Sequence, residues 1–392
     1  MKKNKNSEQL FFKLLRAGLF LGHSERLMAL EQAKRQSRAN DSLFKGVDWN
    51  VIYQLACEQS VQGQVLQGIE ELRTKGIELS VPKVLLLQWI GEVQMIEQRN
   101  KEMNGFIAEL IEKLRKDDIY ALLVKGQGVA QCYEKPLWRS SGDIDLFLSD
   151  ENYVRAKNLL IPNASVVEVE SVASKHFGMT INDWVVELHG KLYSSLSHRI
   201  NKVLKEIMDD TFYRGEVRSW QNHSVQVFLL GIENDVIYTF THFLGHYYKG
   251  GIGLRQICDW CRLLWTYREK ISMSKLEKRI NDMRLMSEWK AFCAFAVDYL
   301  GMPVDAMPFY SSDTKWKKKA KIICTFILEV GNFGHNRDNS YYSKSSFLIR
   351  KIYSFGRRCG DLLRHARIFP MDSLRFFPSI AFNGVRSALR GE

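Results

Sequence analysis

The hydrophobic period of this chain changes once and then changes back. Up to about residue 117 apolar side chains recur every three or four positions, as in Leu10, Leu14, Leu15, Leu19 and Leu21 and then Val51, Leu55, Val65, Ile69 and Leu72. Asp48 suits an N-cap and Gly76 a stop, and from Pro82 the pattern resumes through Ile107, Leu110, Ile111 and Leu114. Tyr120 to Val124 is instead a short continuous apolar run, the mark of a strand buried on both faces. It ends at Lys125-Gly126-Gln127-Gly128, followed by a helical turn or two that Pro136 stops, and by the polar turn Arg139-Ser140-Ser141-Gly142. Asp143 to Leu148 is the next strand, Asp150 and Glu151 open a helix, and Val166–Val172 and Trp184–Leu188 read as further strands. After about residue 235 the helical period returns, with Val236–Tyr248, a turn at Gly250-Gly251-Ile252-Gly253, Leu254–Tyr267 and more helices to about 330. The expected architecture is α+β, a small mixed sheet with helices between two helical regions: 1–105, a core at 106–235, 236–330, and a tail at 331–392.

Length and composition narrow the class. A chain of 392 residues, 45% hydrophobic and 26% charged with 7 prolines, is neither disordered nor fibrous. Its longest apolar stretch, Leu10–Gly22, is interrupted by Lys13 and Arg16, which argues against a membrane span or a signal peptide and for a cytoplasmic protein. Of the formal net charge of +12, residues 315–392 carry +11, from 16 Lys+Arg against 5 Asp+Glu. Such a tail is either a solvated basic surface or one that attracts nucleic acid or the inner face of an anionic membrane, with Phe376, Phe377 and Ile380 among Arg375, Arg386 and Arg390. The 7 cysteines are scattered, and Cys258-x-x-Cys261 lies in a helical pattern with no second pair nearby, so reduced thiols are expected.

Asp143 and Asp145 carry the most chemical information. Alternate residues of a strand share a face, so both carboxylates point one way while Ile144 and Leu146 point the other. Two carboxylates so placed repel unless a cation neutralises them, and all-oxygen ligation suits Mg²⁺ or Mn²⁺. Glu187, inside the apolar run Val185-Val186-Glu187-Leu188, is the candidate third ligand of a two-metal site for phosphoryl chemistry. Upstream, Gly126 lets the backbone approach a phosphate, Lys125 and Arg139 offer positive charge, and Ser140 and Ser141 offer hydroxyls. A lone Asp-x-Asp facing water is the competing reading.

Taken in order, Leu123-Val124-Lys125-Gly126, Arg139-Ser140-Ser141-Gly142-Asp143-Ile144-Asp145-Leu146 and Val186-Glu187-Leu188-His189 resemble the DNA polymerase beta-like nucleotidyltransferase superfamily. More closely, the chain resembles a bacterial nucleotidyltransferase family whose members often lie in polysaccharide and peptide-biosynthesis gene neighbourhoods, over roughly residues 8–300. The resemblance implies a nucleotidyltransferase core at 106–235 and metal-dependent transfer of a nucleoside monophosphate from an NTP to a hydroxyl-bearing saccharide, small molecule or protein. It assigns Asp143, Asp145 and Glu187 to the metals and sets Gly126 beside the triphosphate, with Lys125 and Arg139 countering its charge and either Gly128 or Ser140 standing in for the residue that the phosphate loop lacks. Gly126 is followed by Gln127 where the superfamily's phosphate loop has Gly or Ser.

Three further positions stay open. His189 shares a strand face with Glu187, as a general base, a hydrogen-bond partner or a structural histidine. His242 and His246 are spaced for a shared helix face, and with Arg255 and Asp259 they either line the far wall of the cleft or, for the histidines, bind zinc. Tyr247, Tyr248 and Trp260 fit a core better than a base-stacking platform. The competing functions are a nucleotide-sugar glycosyltransferase using Asp143 and Asp145, and a catalytically inactive nucleotide- or nucleic-acid-binding protein.

Overall fold

The computed structural model describes residues 5–20, 46–332, 336, 347–378 and 382. Leu21, Ile380, Arg386 and Arg390, which entered the sequence reading, lie outside the described residues. Four helices come first: α1 (Lys5–Leu19), α2 (Trp49–Glu58), α3 (Gln62–Thr74) and the 34-residue α4 (Lys83–Lys116), which runs through position 105. The sheet region follows with β1 (Ala121–Val124), α5 (Gly126–Ala130), β2 (Asp143–Leu148), α6 (Asp150–Leu160), β3 (Val166–Val167), β4 (His176–Ile181) and β5 (Trp184–His189). Then come α7 (His198–Phe212), β6 (Val217–Asn222) and β7 (Val225–Leu230). The C-terminal helices are α8 (Ile232–Lys249), α9 (Leu254–Tyr267), α10 (Met273–Met283), α11 (Met286–Phe295), α12 (Thr314–Val330) and α13 (Phe347–Ala366).

Local chemistry explains where several helices start. Asp48 accepts the Asn50 N–H at 2.9 Å ahead of α2, and Ser149 and Ser197 cap α6 and α7 in the same way. Each such cap is worth about 1 kcal/mol. α1 crosses α3 at a distance only glycine permits. A Cβ on Gly18 would stand 1.8 Å from the Gln64 carbonyl oxygen, and one on Gly68 1.9 Å from that of Leu14.

The seven strands form one mixed α+β sheet in the order β3-β4-β5-β2-β1-β7-β6. β2 pairs antiparallel with β1 and parallel with β5, so the two aspartates lie at the middle of the sheet. Ala121, Leu123, Ile144, Leu146, Val186 and Leu188 face α4 and α6. Leu122, Val124 and Phe147 face the other way, into the larger core built from α1–α3, α8, α9, α11 and α12. Asp143 and Asp145 share that second face by strand alternation. Tyr247, Tyr248 and Trp260 are buried in the larger core.

Two expectations need correction. The strand read over Val166–Val172 is confined to Val166–Val167: past Glu168 the chain touches β4 again only through a single bridge from Ser171 to His176, and Val169 and Val172 are exposed. Phe376 is not offered to a membrane, because its ring packs edge-on against Tyr248 at 4.9 Å and is buried. Among the described residues no helix is long and apolar enough to cross a membrane.

Candidate active site

Register brings the carboxylates together. Asp145 on β2 is the direct partner of Glu187 on β5, and strand alternation puts Asp143 on the same face two residues earlier. Asp143, Asp145 and Glu187 can each offer an oxygen such that all three lie within 4.8 Å of one another. The charge of Asp145, and then burial, raises the pKa of Asp143. That repulsion is offset from two sides. Lys125 Nζ stands 2.6 Å and His189 Nε2 2.7 Å from the same Asp145 Oδ1. Glu187 Oε2 in turn meets His176 Nε2 at 3.0 Å and His189 Nε2 at 3.5 Å.

The protonation states follow from these pairings. Burial alone would raise Glu187, but hydrogen bonds from the two histidines and the nearby Lys125 charge hold it well below the usual carboxylate range. Burial alone would lower His189, yet its bonds to Asp145 and Glu187 raise it. Burial alone would lower Lys125 as well, but the charges of Asp145 and Asp143, the nearby Tyr238 and the hydrogen bond to Asp145 together raise it. The donor set fits a hard divalent cation: three carboxylate oxygens within reach of one another are the ligands Mg²⁺ and Mn²⁺ prefer, with water and phosphate completing the shell.

The strand-to-helix bend beside the aspartates is strained. Lys125 has φ +58° and ψ −148°, a region that side chains avoid, and Gly126 follows at φ +41°. A residue other than glycine in such a conformation costs about 1–3 kcal/mol and persists only where its surroundings hold it. Here the hold is the buried contact of its ammonium group with Asp145. A Cβ on Gly126 would come within 3.4 Å of the Asp143 carbonyl oxygen, so the bend passes directly over the carboxylate strand.

Arg139 lines the small cavity beside Gly126 and Asp143, with its guanidinium paired to Asp259. Its Nε and Nη2 donate to Asp259 Oδ1 and Oδ2 at 3.0 and 2.6 Å, and its Nη1 donates to the Ser140 carbonyl and Ser141 Oγ. Asp259 also accepts from Tyr133 Oη at 2.8 Å, and so pairs with Arg139 and not with Arg255 one helical turn away. Arg255 Nη1 donates to the Ser140 carbonyl at 2.7 Å. Ser140 thus serves through its backbone, as the knot between two arginines. Sequence reasoning missed a second anchor of this loop: Asn100 on α4 donates to the carbonyls of Leu137 and Arg139 and accepts from the buried Gln127. A buried asparagine on the apolar face of α4 is the signal that could have found it.

Two cavities flank the carboxylates. The smaller, about 60 Å³, is bounded by Lys125, Gly126, Asp143, Asp145 and Arg255. The larger, about 290 Å³, opens over Glu187, His176 and His189 and extends past Lys191 to His242, His246 and Lys249. His242 and His246 stand with their Nε2 atoms 3.1 Å apart. Burial, then the Lys125 charge, lowers both, His246 to about 4, so the pair lines the wall in neutral form. Among the described residues neither belongs to a cluster able to hold a metal. Cys258 and Cys261 are free, buried and pushed up by burial, which leaves them unreactive.

A central strand with two aspartates, a glutamate in register on its neighbour, and a lysine–glycine bend overhead place this fold in the class of nucleotidyltransferases. The chain belongs to a family of uncharacterised nucleotidyltransferases, whose model matches residues 45–301 and so takes in the whole site. It matches no curated protein and no solved structure.

Proposed function

We propose that the protein transfers a nucleoside monophosphate from an NTP to a hydroxyl-bearing acceptor, with a bond formed from the acceptor oxygen to the α-phosphorus and pyrophosphate leaving. The observation that carries this reading is the convergence of Asp143, Asp145 and Glu187 within 4.8 Å inside the family match. Those three residues would hold divalent magnesium or manganese, which would neutralise the charge developing on the transferred group. The triphosphate lies along Gly126 and Arg255, beside the Lys125 ammonium group that stands on Asp145. The acceptor enters through the larger cavity, and its hydroxyl proton passes to the Asp145 carboxylate that His189 holds in place. Arg139 and Asp259 act as positioning residues, since they fix the Ser140–Gly142 turn that leads into β2.

Glycosyl transfer from a nucleotide sugar has less support, because only β1 precedes β2 among the described strands and a nucleotide-binding half is lacking there. An inactive binding protein has less support as well, since all three carboxylates are in place. Calorimetric titration with a non-hydrolysable NTP analogue tests the proposal. Binding that requires Mg²⁺ or Mn²⁺ and disappears in the Asp143→Asn, Asp145→Asn double variant supports it. Equal binding by that variant contradicts it.

A further inference from the structure

Glu187 belongs to two clusters, and the second contains nitrogen. His176 Nε2, Glu187 Oε2 and His189 Nε2 lie within 4.8 Å of one another, with 3.0 Å from His176 to Glu187 and 3.5 Å from His189 to Glu187. Backbone register sets this up. His176 on β4 is the cross-strand partner of His189 on β5, and their rings sit 4.9 Å apart; Glu187 lies two residues before His189 on the same face. The three groups line the floor of the larger cavity, so an ion reaches them from solvent.

We propose that His176, Glu187 and His189 form an imidazole-containing site for a borderline transition-metal ion such as Zn²⁺, beside the all-carboxylate site and distinct from it in ion preference. Metal–ligand bonds of about 2.0–2.2 Å in a tetrahedron put neighbouring donor atoms roughly 3.4 Å apart, the scale of the two separations found here. Two imidazoles and one carboxylate leave a fourth position open for water or a substrate oxygen. Mg²⁺ discriminates against nitrogen ligands, whereas Zn²⁺, Co²⁺ and Ni²⁺ accept them. On binding, the hydrogen bond from His176 to Glu187 is replaced by two metal bonds, and His189 turns from Asp145 to the ion. Asp145 Oδ1 is then released toward the carboxylate site. The inference concerns ion binding alone; since Glu187 is common to both clusters and His189 leaves Asp145, the form loaded with this ion is an alternative to the form that carries out nucleotidyl transfer.

Metal-free full-length protein titrated with Co²⁺ or Zn²⁺ tests it, by calorimetry and by the visible ligand-field spectrum of Co²⁺. The expected result is one tightly held equivalent with a four-coordinate, nitrogen-containing spectrum. Affinity falls at least about tenfold in His176→Gln, whose amide can still donate to Glu187, and survives in Asp143→Asn. Equal Zn²⁺ affinity in wild type and His176→Gln overturns the proposal, as does an absence of binding by wild type. X-ray absorption on the Zn²⁺-loaded wild type guards against a variant that fails to fold: imidazole scattering from two histidines supports the site, and an all-oxygen shell overturns it.

Discussion

Lys125 reaches the buried Asp145 carboxylate, 2.6 Å away, from a backbone conformation that lysine rarely adopts. The contact and the strained bend sustain each other, and together they balance a site with three carboxylates. Removing one member of a buried ion pair costs about 3–5 kcal/mol, because the other charge is left uncompensated. Lys125→Met keeps most of the aliphatic stem and removes the charge. In calorimetric melts without divalent ions its Tm should fall clearly below that of wild type, and added Mg²⁺ should restore more stability than it adds to wild type. An unchanged Tm would show that Asp145 needs no partner.

The Arg139–Asp259 pair is buried and bidentate, and it ties the turn before β2 to α9. Arg139→Met should lower stability by about 3–5 kcal/mol in urea unfolding. Adding Asp259→Leu should recover a large part of that loss, since the orphaned carboxylate goes too. If the double variant is no more stable than the single one, the pair matters for some reason other than charge compensation.

The α1–α3 crossing depends on two missing side chains. Gly68→Ala would drive a methyl group into the Leu14 carbonyl, where backbone and not a flexible side chain must give way. Overpacking of this kind costs about 1–3 kcal/mol or more. Thermal unfolding should show the loss, and a neutral outcome would mean that α1 slides freely on α3.

Glu288 on α11 is fully buried, and burial, followed by the neighbouring Asp372 carboxyl, raises its pKa well above the ordinary range. Tyr248 Oη donates to it at 3.2 Å, and Lys319 is a nearby cation. The folded protein therefore keeps a proton that the unfolded chain releases near pH 4.3. For a raised carboxyl, the stabilisation is complete below the unfolded value and declines as pH climbs, by at most about 1.4 kcal/mol per pH unit. Glu288→Gln should flatten the fall of Tm between pH 5 and 8 and exceed wild type at the upper end. A parallel pH profile in the variant would assign the dependence to other groups.

Much of the architecture was legible because each signal was local. The apolar run before Lys125 marks β1, the Asp-x-Asp alternation marks β2, and Leu254–Tyr267 is read to its observed ends. The β6–β7 hairpin was hidden because its edge strand alternates with Arg218, Ser219 and Gln221, and its turn uses His223 at φ +53° where a glycine would have signalled it. β4 was hidden by Gly178, which stands where the Glu168 side chain crosses. His176 went unread for the same reason: only the β4–β5 register brings it to Glu187 from 11 positions upstream. Arg139 and Asp259 are 120 residues apart, and no spacing rule joins them. The carboxylates themselves were legible since their chemistry is written in a period of two.

Parallel incubations with α-labelled and γ-labelled NTP, Mg²⁺ or Mn²⁺ and a fractionated acceptor pool test the central claim most directly. The account predicts that α-label enters an acceptor, that γ-label leaves as pyrophosphate, and that Glu187→Gln or the double aspartate variant lowers the rate at least about a hundredfold, the loss of several kcal/mol of charge stabilisation. Transfer of the γ-label to the acceptor, or undiminished α-label transfer by the double aspartate variant, would contradict it.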